Sequence, residues 1–196
     1  MRTEEPVTIK REDYAPPPYT ITYVKLIFDL DPSATKVTAD IGFEQRPGSK
    51  GGELILDGEE LKLNEIAIDG EVLKPNRYTI KPETLSIFAP PQTPFTLQTE
   101  VEINPAKNMR LEGLYLSDGI YCTQCEAEGF RRITYFLDRP DVMTAYDVEI
   151  RGDAKVLPTL LSNGDLVDEG QLDDGRHFAR WRDPWNKPCY LFALVA

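Results

Sequence analysis

A chain of 196 residues, 41% hydrophobic and 28% charged, can bury a real core in one domain or two small ones. Its net charge of −11 denies it the basic face that phosphate binding needs, so nucleic acid is not an expected partner. No apolar stretch approaches the ~20 residues of a membrane helix, and Met1 to Pro6 hold no apolar signal core, so neither a membrane span nor a secretory signal is expected.

Residues 1–18 read as an extended, polar lead-in that ends in Pro16, Pro17 and Pro18, with one compact domain over 19–196. Period-two alternation then marks half-buried strands. Val24, Leu26, Phe28 and Leu30 form one apolar row, with Ile27 the intruder on the other face; Val37, Ala39, Ile41 and Phe43 form the next. Shorter runs at 53–56, 61–68, 78–80 and 85–88 follow, then the long alternation from Phe95 to Ile103, and further runs at 146–150 and 177–182. Asp57-Gly58, Asp69-Gly70, Asp118-Gly119, Asn163-Gly164 and Asp174-Gly175 supply tight turns between them. One helical turn or two is expected after Pro140, through Asp141–Ala145. The fold expected is all-β: an antiparallel, curved, many-stranded sheet or sandwich with little helix. The apolar run from Cys189 to Ala196 stops without a polar tail; the reading is a chain cut at a domain border, with a buried strand at the very end as the alternative.

Chemistry concentrates between Tyr121 and Ile133. In an extended strand, residues two apart share a face, so Gln124 and Glu126 would point the same way. An amide oxygen beside a carboxylate makes a small acceptor site suited to a substrate ammonium group. Cys122 and Cys125 have the C-x-x-C spacing of zinc and redox sites, but only the unpaired Cys189 and the single His177 could complete a metal set. In a strand the first two would face opposite sides, which favours small packed thiols over a metal or a disulfide. Three cysteines in all suit a reducing, cytoplasmic setting. His177 reads as a tolerated strand histidine, and no hydrolytic, nucleotide or H-E-x-x-H motif occurs, so no catalytic residue is assigned. Asp138 to Asp141 read as a turn tied by a local ion pair. Tyr115, Tyr121, Trp181 and Trp185 fit a core or domain interface better than a sugar platform.

Several blocks then resemble one family. They are N-P-A-K-N at 104–108, L-E-G-L-Y at 111–115, C-T-Q-C-E-A-E-G-F-R at 122–131, Y-F-L-D-R-P-D-V at 135–142, L-S-N-G at 161–164 and K-P-C-Y-L-F-A-L-V-A at 187–196. Looser agreement at 28–31 and 56–63 extends the likeness over nearly the whole chain. The resemblance is to the N-terminal domain of bacterial aminopeptidase N, a zinc gluzincin exopeptidase. It implies a β domain packed on a thermolysin-like catalytic domain of the same polypeptide, whose zinc ligands lie beyond Ala196. It also implies that Gln124 and Glu126 bind the free α-amine of peptide substrates, while this segment itself holds no metal. The surface that meets the catalytic domain is then expected to be exposed around 124–131 and near the C-terminal run. A free-standing β-sandwich module for protein or carbohydrate is the alternative.

Overall fold

The computed structural model describes Thr8 and residues 10–196; the expectation for Met1 to Pro6 lies outside the described residues. In the first half the strands are β1 (Tyr19–Asp29), β2 (Thr35–Gln45), β3 (Leu54–Asp57), β4 (Lys62–Ile68), β5 (Glu71–Val72), β6 (Tyr78–Lys81), β7 (Thr84–Ile87) and β8 (Phe95–Ile103). In the second half they are β9 (Gly113–Ser117), β10 (Ile120–Gln124), β11 (Met143–Asp153), β12 (Leu161–Ser162), β13 (Asp165–Gln171), β14 (Arg176–Pro188) and β15 (Leu194–Val195). An eight-stranded sheet has the order β13-β14-β11-β1-β2-β8-β4-β5; β12-β15-β10-β9 and β3-β7-β6 form two smaller sheets. Its neighbours run antiparallel except β1 and β11, which are parallel from Val24 opposite Tyr146 to Asp29 opposite Arg151.

The alternation read from the sequence becomes the inner face of the large sheet. Register sets Val37 opposite Val101, Ile41 opposite Leu97 and Phe43 opposite Phe95, and the last two rings stack at 5.7 Å. Leu54, Leu56, Leu85 and Ile87 from one small sheet, and Leu114, Tyr121 and Leu194 from the other, close over that face in one continuous core. Burying each such side chain is worth roughly 1.5–3 kcal/mol, so this core supplies the main driving force. On the outer face charges pair across strands: Lys62–Glu102 at 3.0 Å, Arg182–Asp147 at 2.8 Å and Arg180–Glu149 at 2.6 Å. The exposed pairs among them, Lys62–Glu102 and Arg182–Asp147, contribute little each and keep the face solvated.

The helix expected at Asp141–Ala145 does not form. A turn closes from Val142 N–H to the Arg139 carbonyl at 3.3 Å, and β11 begins at once, with Met143 opposite Pro188 and Thr144 opposite Lys187. Val142 and Thr144 are buried, so tertiary pairing overrides the local helical signal. Helical structure among the described residues is limited to single 3-10 turns, including Pro105–Lys107, Phe130–Arg132 and Cys189–Leu191. Among the described residues no helix is long and apolar enough to cross a membrane. The end of the lead-in is docked: Tyr14 Oη donates to Asp141 at 2.9 Å, and Arg46 Nε donates to the Pro17 carbonyl at 3.1 Å.

Candidate functional site

β10 ends at Gln124, and the chain turns through 126–129 into the 3-10 turn Phe130–Arg132. Glu126 therefore stands in a turn and not in the strand that the sequence suggested, and the Glu126–Ala127 peptide is cis. Gln124 and Glu126 are exposed while Cys125 between them is buried. Gln124 Nε2 donates to the main-chain oxygen of Glu126 at 3.1 Å, which uses one of the amide's two N–H donors and leaves its oxygen as an acceptor. Among the described residues no cation pairs with the Glu126 carboxylate. The result is an acceptor site open to solvent, the kind that takes an ammonium group by charge-assisted hydrogen bonds.

What holds this turn was not visible in the local sequence. Gly129 N–H donates to the Cys125 carbonyl at 2.8 Å, and a Cβ on Gly129 would lie 2.4 Å from the Gln124 carbonyl oxygen. Arg131 donates from its backbone N (3.1 Å) and Nε (2.9 Å) to one oxygen of Asp138, and from Nη2 to the Asp138 carbonyl (3.3 Å). Burial works against the Arg131 charge, but the hydrogen bond to Asp138 and the charges of Asp57 and Asp138 outweigh it and raise its pKa. Burial likewise pushes the Asp57 carboxyl up, with Arg131 opposing. Arg132 points the other way, to Glu59 (2.5 Å), Glu60 (2.9 Å) and Glu112 (3.3 Å). The Asp138–Asp141 turn carries the local ion pair read from the sequence, a fork from Arg139 to Asp141 at 2.8 Å on both arms.

β10 sits between β9 and β15, with Tyr121 and Ala196 exchanging backbone hydrogen bonds at 2.8 and 3.1 Å. Leu161, Val195, Cys122 and Tyr115 are paired in one row across the four strands and so share a face. Ile120 and Gln124 lie two residues either side of Cys122 on that same face, while Leu114, Tyr121 and Leu194 line the buried one. Leu161 is 44% exposed and Val195 42%, so the acceptor groups of Gln124 and Glu126 border an uncovered, largely apolar sheet face. The turn itself exposes polar side chains; the exposed apolar ones are its neighbours.

The remaining candidates separate. Cys122 is half-exposed on the outer face, Cys125 and Cys189 are buried and all three are free thiols; burial pushes the Cys125 and Cys189 thiols up, away from thiolate. His177 Nε2 lies 2.7 Å from the Leu157 carbonyl, the contact of a strand histidine satisfied by its own fold. Among the described residues no three His, Cys, Asp or Glu side chains converge as a metal site. Tyr121 lies in the core, Trp181 bonds the Leu160 carbonyl at 3.0 Å and Trp185 stands 79% exposed near the end of β14, so the four aromatics do not make one platform.

Comparison with known proteins bears on this geometry. The chain is 53% identical over 196 residues to aminopeptidase N of Caulobacter vibrioides and 47% identical over 194 residues to aminopeptidase N of Escherichia coli K12. It covers 100% and 99% of itself in those matches but only 22% of each relative, so it spans about a fifth of their length. Among solved structures, Legionella pneumophila aminopeptidase A in complex with aspartic acid superposes with a TM-score of 0.91 at 35% identity, over 96% of this chain and 22% of that one. An M1 zinc metallopeptidase from Deinococcus radiodurans has a TM-score of 0.78 at 12% identity, over 91% of this chain and 42% of that one, a likeness of fold alone. The family model for the peptidase M1 N-terminal domain matches residues 16–191, from the docked lead-in through the turn of Gln124 and Glu126 to the last 3-10 turn, and the chain belongs to that family.

Proposed function

We propose that this chain is the non-catalytic N-terminal domain of a zinc-dependent aminopeptidase that removes N-terminal residues from peptides in the cytoplasm. In this reading Gln124 and Glu126 bind the free α-amine, and the uncovered face of the β12-β15-β10-β9 sheet seats the catalytic domain of the same polypeptide. The supporting observation is the exposed Glu126 carboxylate, without a cationic partner among the described residues, beside the Gln124 amide on a turn held by buried groups. An exopeptidase must recognise a charged terminus at a set distance from the bond it cleaves. A carboxylate and an amide oxygen on a rigid turn do this, and an internal peptide segment offers them no ammonium, so the anchor both aligns the substrate and selects it.

Zinc in the parent enzyme supplies polarisation of the scissile carbonyl and an activated water. The contribution of this chain is to bind and orient. The test is production of the 196-residue chain and of the complete polypeptide side by side, with an aminoacyl chromogenic substrate. Chelator-sensitive turnover by the complete protein and none by the chain is the expected result. Chelator-sensitive turnover by the chain alone would overturn the reading, and fractionation of cells checks the compartment.

A further inference from the structure

The turn that carries Glu126 is braced from outside by one buried carboxylate. Asp138, whose side chain is 1% exposed, spends one oxygen on Arg131 and the other on the thiol of Cys189, which donates at 3.0 Å. Its own N–H donates to Asp57 at 3.1 Å, next to the paired backbone bonds between Asp57 and Phe136 at 2.8 and 3.0 Å. Two arms therefore run from Asp138 to the two sides of the anchor. Arg131 fixes the chain just after the turn. Cys189 begins the 3-10 turn Cys189–Leu191 that leads into β15, where Leu194 N–H donates at 2.8 Å to the hydroxyl of Thr123, the neighbour of Gln124.

A buried charge hub of this kind is a poor source of stability, because desolvation offsets most of the attraction and apolar packing of the same volume does as well. Its distinctive yield is geometry: a guanidinium fork and a carboxylate with both oxygens engaged admit few arrangements. We infer that Asp138 is a positioning residue for the amine anchor, acting through Arg131 on Glu126 and through Cys189 and β15 on Gln124. The inference rests on the reading that Gln124 and Glu126 bind the amine, and it goes beyond that reading by naming the group that sets their spacing.

The experiment uses the complete enzyme with Asp138→Asn, Arg131→Lys, Glu126→Gln and the pair Glu126→Gln with Arg131→Lys. Ile150→Val, in the core of β11, serves as a control for lost stability. For each, kcat and KM are measured on one aminoacyl chromogenic substrate and on its N-acetylated form, with zinc content and melting temperature alongside. Asp138→Asn and Arg131→Lys are expected to lower kcat/KM for the free amine about 10- to 100-fold, since a displacement near 1 Å is enough for that. Residual cleavage of the acetylated form and zinc content stay put, and Ile150→Val changes neither ratio. In the Glu126→Gln background Arg131→Lys has little left to remove, the sub-additivity expected of groups acting as a unit. Asp138 and Arg131 variants that keep the free-to-acetylated ratio, while Glu126→Gln collapses it, would overturn the positioning role alone. Glu126→Gln leaving that ratio intact would overturn the amine-binding reading and the inference with it. Should Asp138→Asn not fold, Arg131→Lys, which keeps the charge, decides by the same ratios.

Discussion

Replacing Gly129 by alanine tests whether the anchor turn is packed as tightly as described. Gly129 has φ −90° and ψ −15°, a conformation alanine adopts freely, so the substitution brings no backbone strain. Space is what it lacks. The new Cβ would lie 2.4 Å from the Gln124 carbonyl oxygen and 3.0 Å from both Cys125 Cα and the Gly113 nitrogen, all of them main-chain atoms. Since a carbon rests at about 3.3–3.6 Å from such an oxygen, the turn must move by about 1 Å. Overpacking of this order costs about 1–3 kcal/mol. The loss of unfolded-state freedom that accompanies Gly→Ala returns about 0.4–1 kcal/mol, leaving a net loss of about 1–2 kcal/mol. At about 2–4 °C per kcal/mol for a domain of this size, the melting temperature should fall by about 2–8 °C. Calorimetry and urea unfolding read that change. Gly48→Ala is the matched control: φ is +82° with nothing within 4 Å of the added Cβ, so it is strained without a clash and far in sequence from the anchor. Both variants should lose stability, but only Gly129→Ala should reduce the preference of the complete enzyme for a free over an acetylated N-terminus. A Gly129→Ala protein that melts with the parent and keeps that preference would refute the reasoning.

Three further outcomes are expected. Arg132→Met strands Glu59, the most sheltered of its three carboxylate partners, and should cost about 3–5 kcal/mol in urea unfolding; a change under about 1 kcal/mol would mean the cluster is not paired as described. Burial alone would raise the Glu149 pKa, but bonds from Arg180 and Arg151, both at 2.6 Å, win and hold it below its ordinary value. Its ionised form therefore stabilises the fold above the ordinary glutamate pKa, and that stability is lost as pH falls through the depressed value. The gap between parent and Glu149→Gln melting temperatures should close on acidification, whereas an offset constant with pH would contradict the assignment. Val195→Lys, on the uncovered sheet face, should move the melt of this chain by no more than about 0.5 kcal/mol yet make its junction in the complete protein sensitive to limited proteolysis; equal resistance would remove that face from the interface.

Much of the fold is written in local alternation. Phe95 to Ile103 announced β8 residue for residue, because every second side chain meets the core. β13 gave no such signal: Asp165–Gln171 has no buried residue, so solvent on both faces erased the period. β12, β15 and β5, two residues each, are too short to carry one. The site divides in the same way. Gln124 and Glu126 stand out because their chemistry is local and exposed. Their brace is not local: Asp57 lies 81 residues from the Asp138 that it bonds, and Cys189 lies 51 from it. Asp138 itself looked like part of a turn tied by a local ion pair, since its neighbours Arg139 and Asp141 do form one. Only the packing of β3 and the 3-10 turn Cys189–Leu191 around it makes it a buried hub.

The most direct measurement of the central claim is the kinetics of Glu126→Gln in the complete enzyme on free and N-acetylated versions of one peptide. Losing a charge-assisted contact to a desolvated ammonium should lower kcat/KM for the free peptide about 10- to 100-fold. Gln124→Ala should lower it less, because a neutral acceptor is removed. Zinc content and the residual cleavage of the acetylated peptide should be unchanged. Equal losses on both peptides would mean that Glu126 supports the structure and does not read the amine.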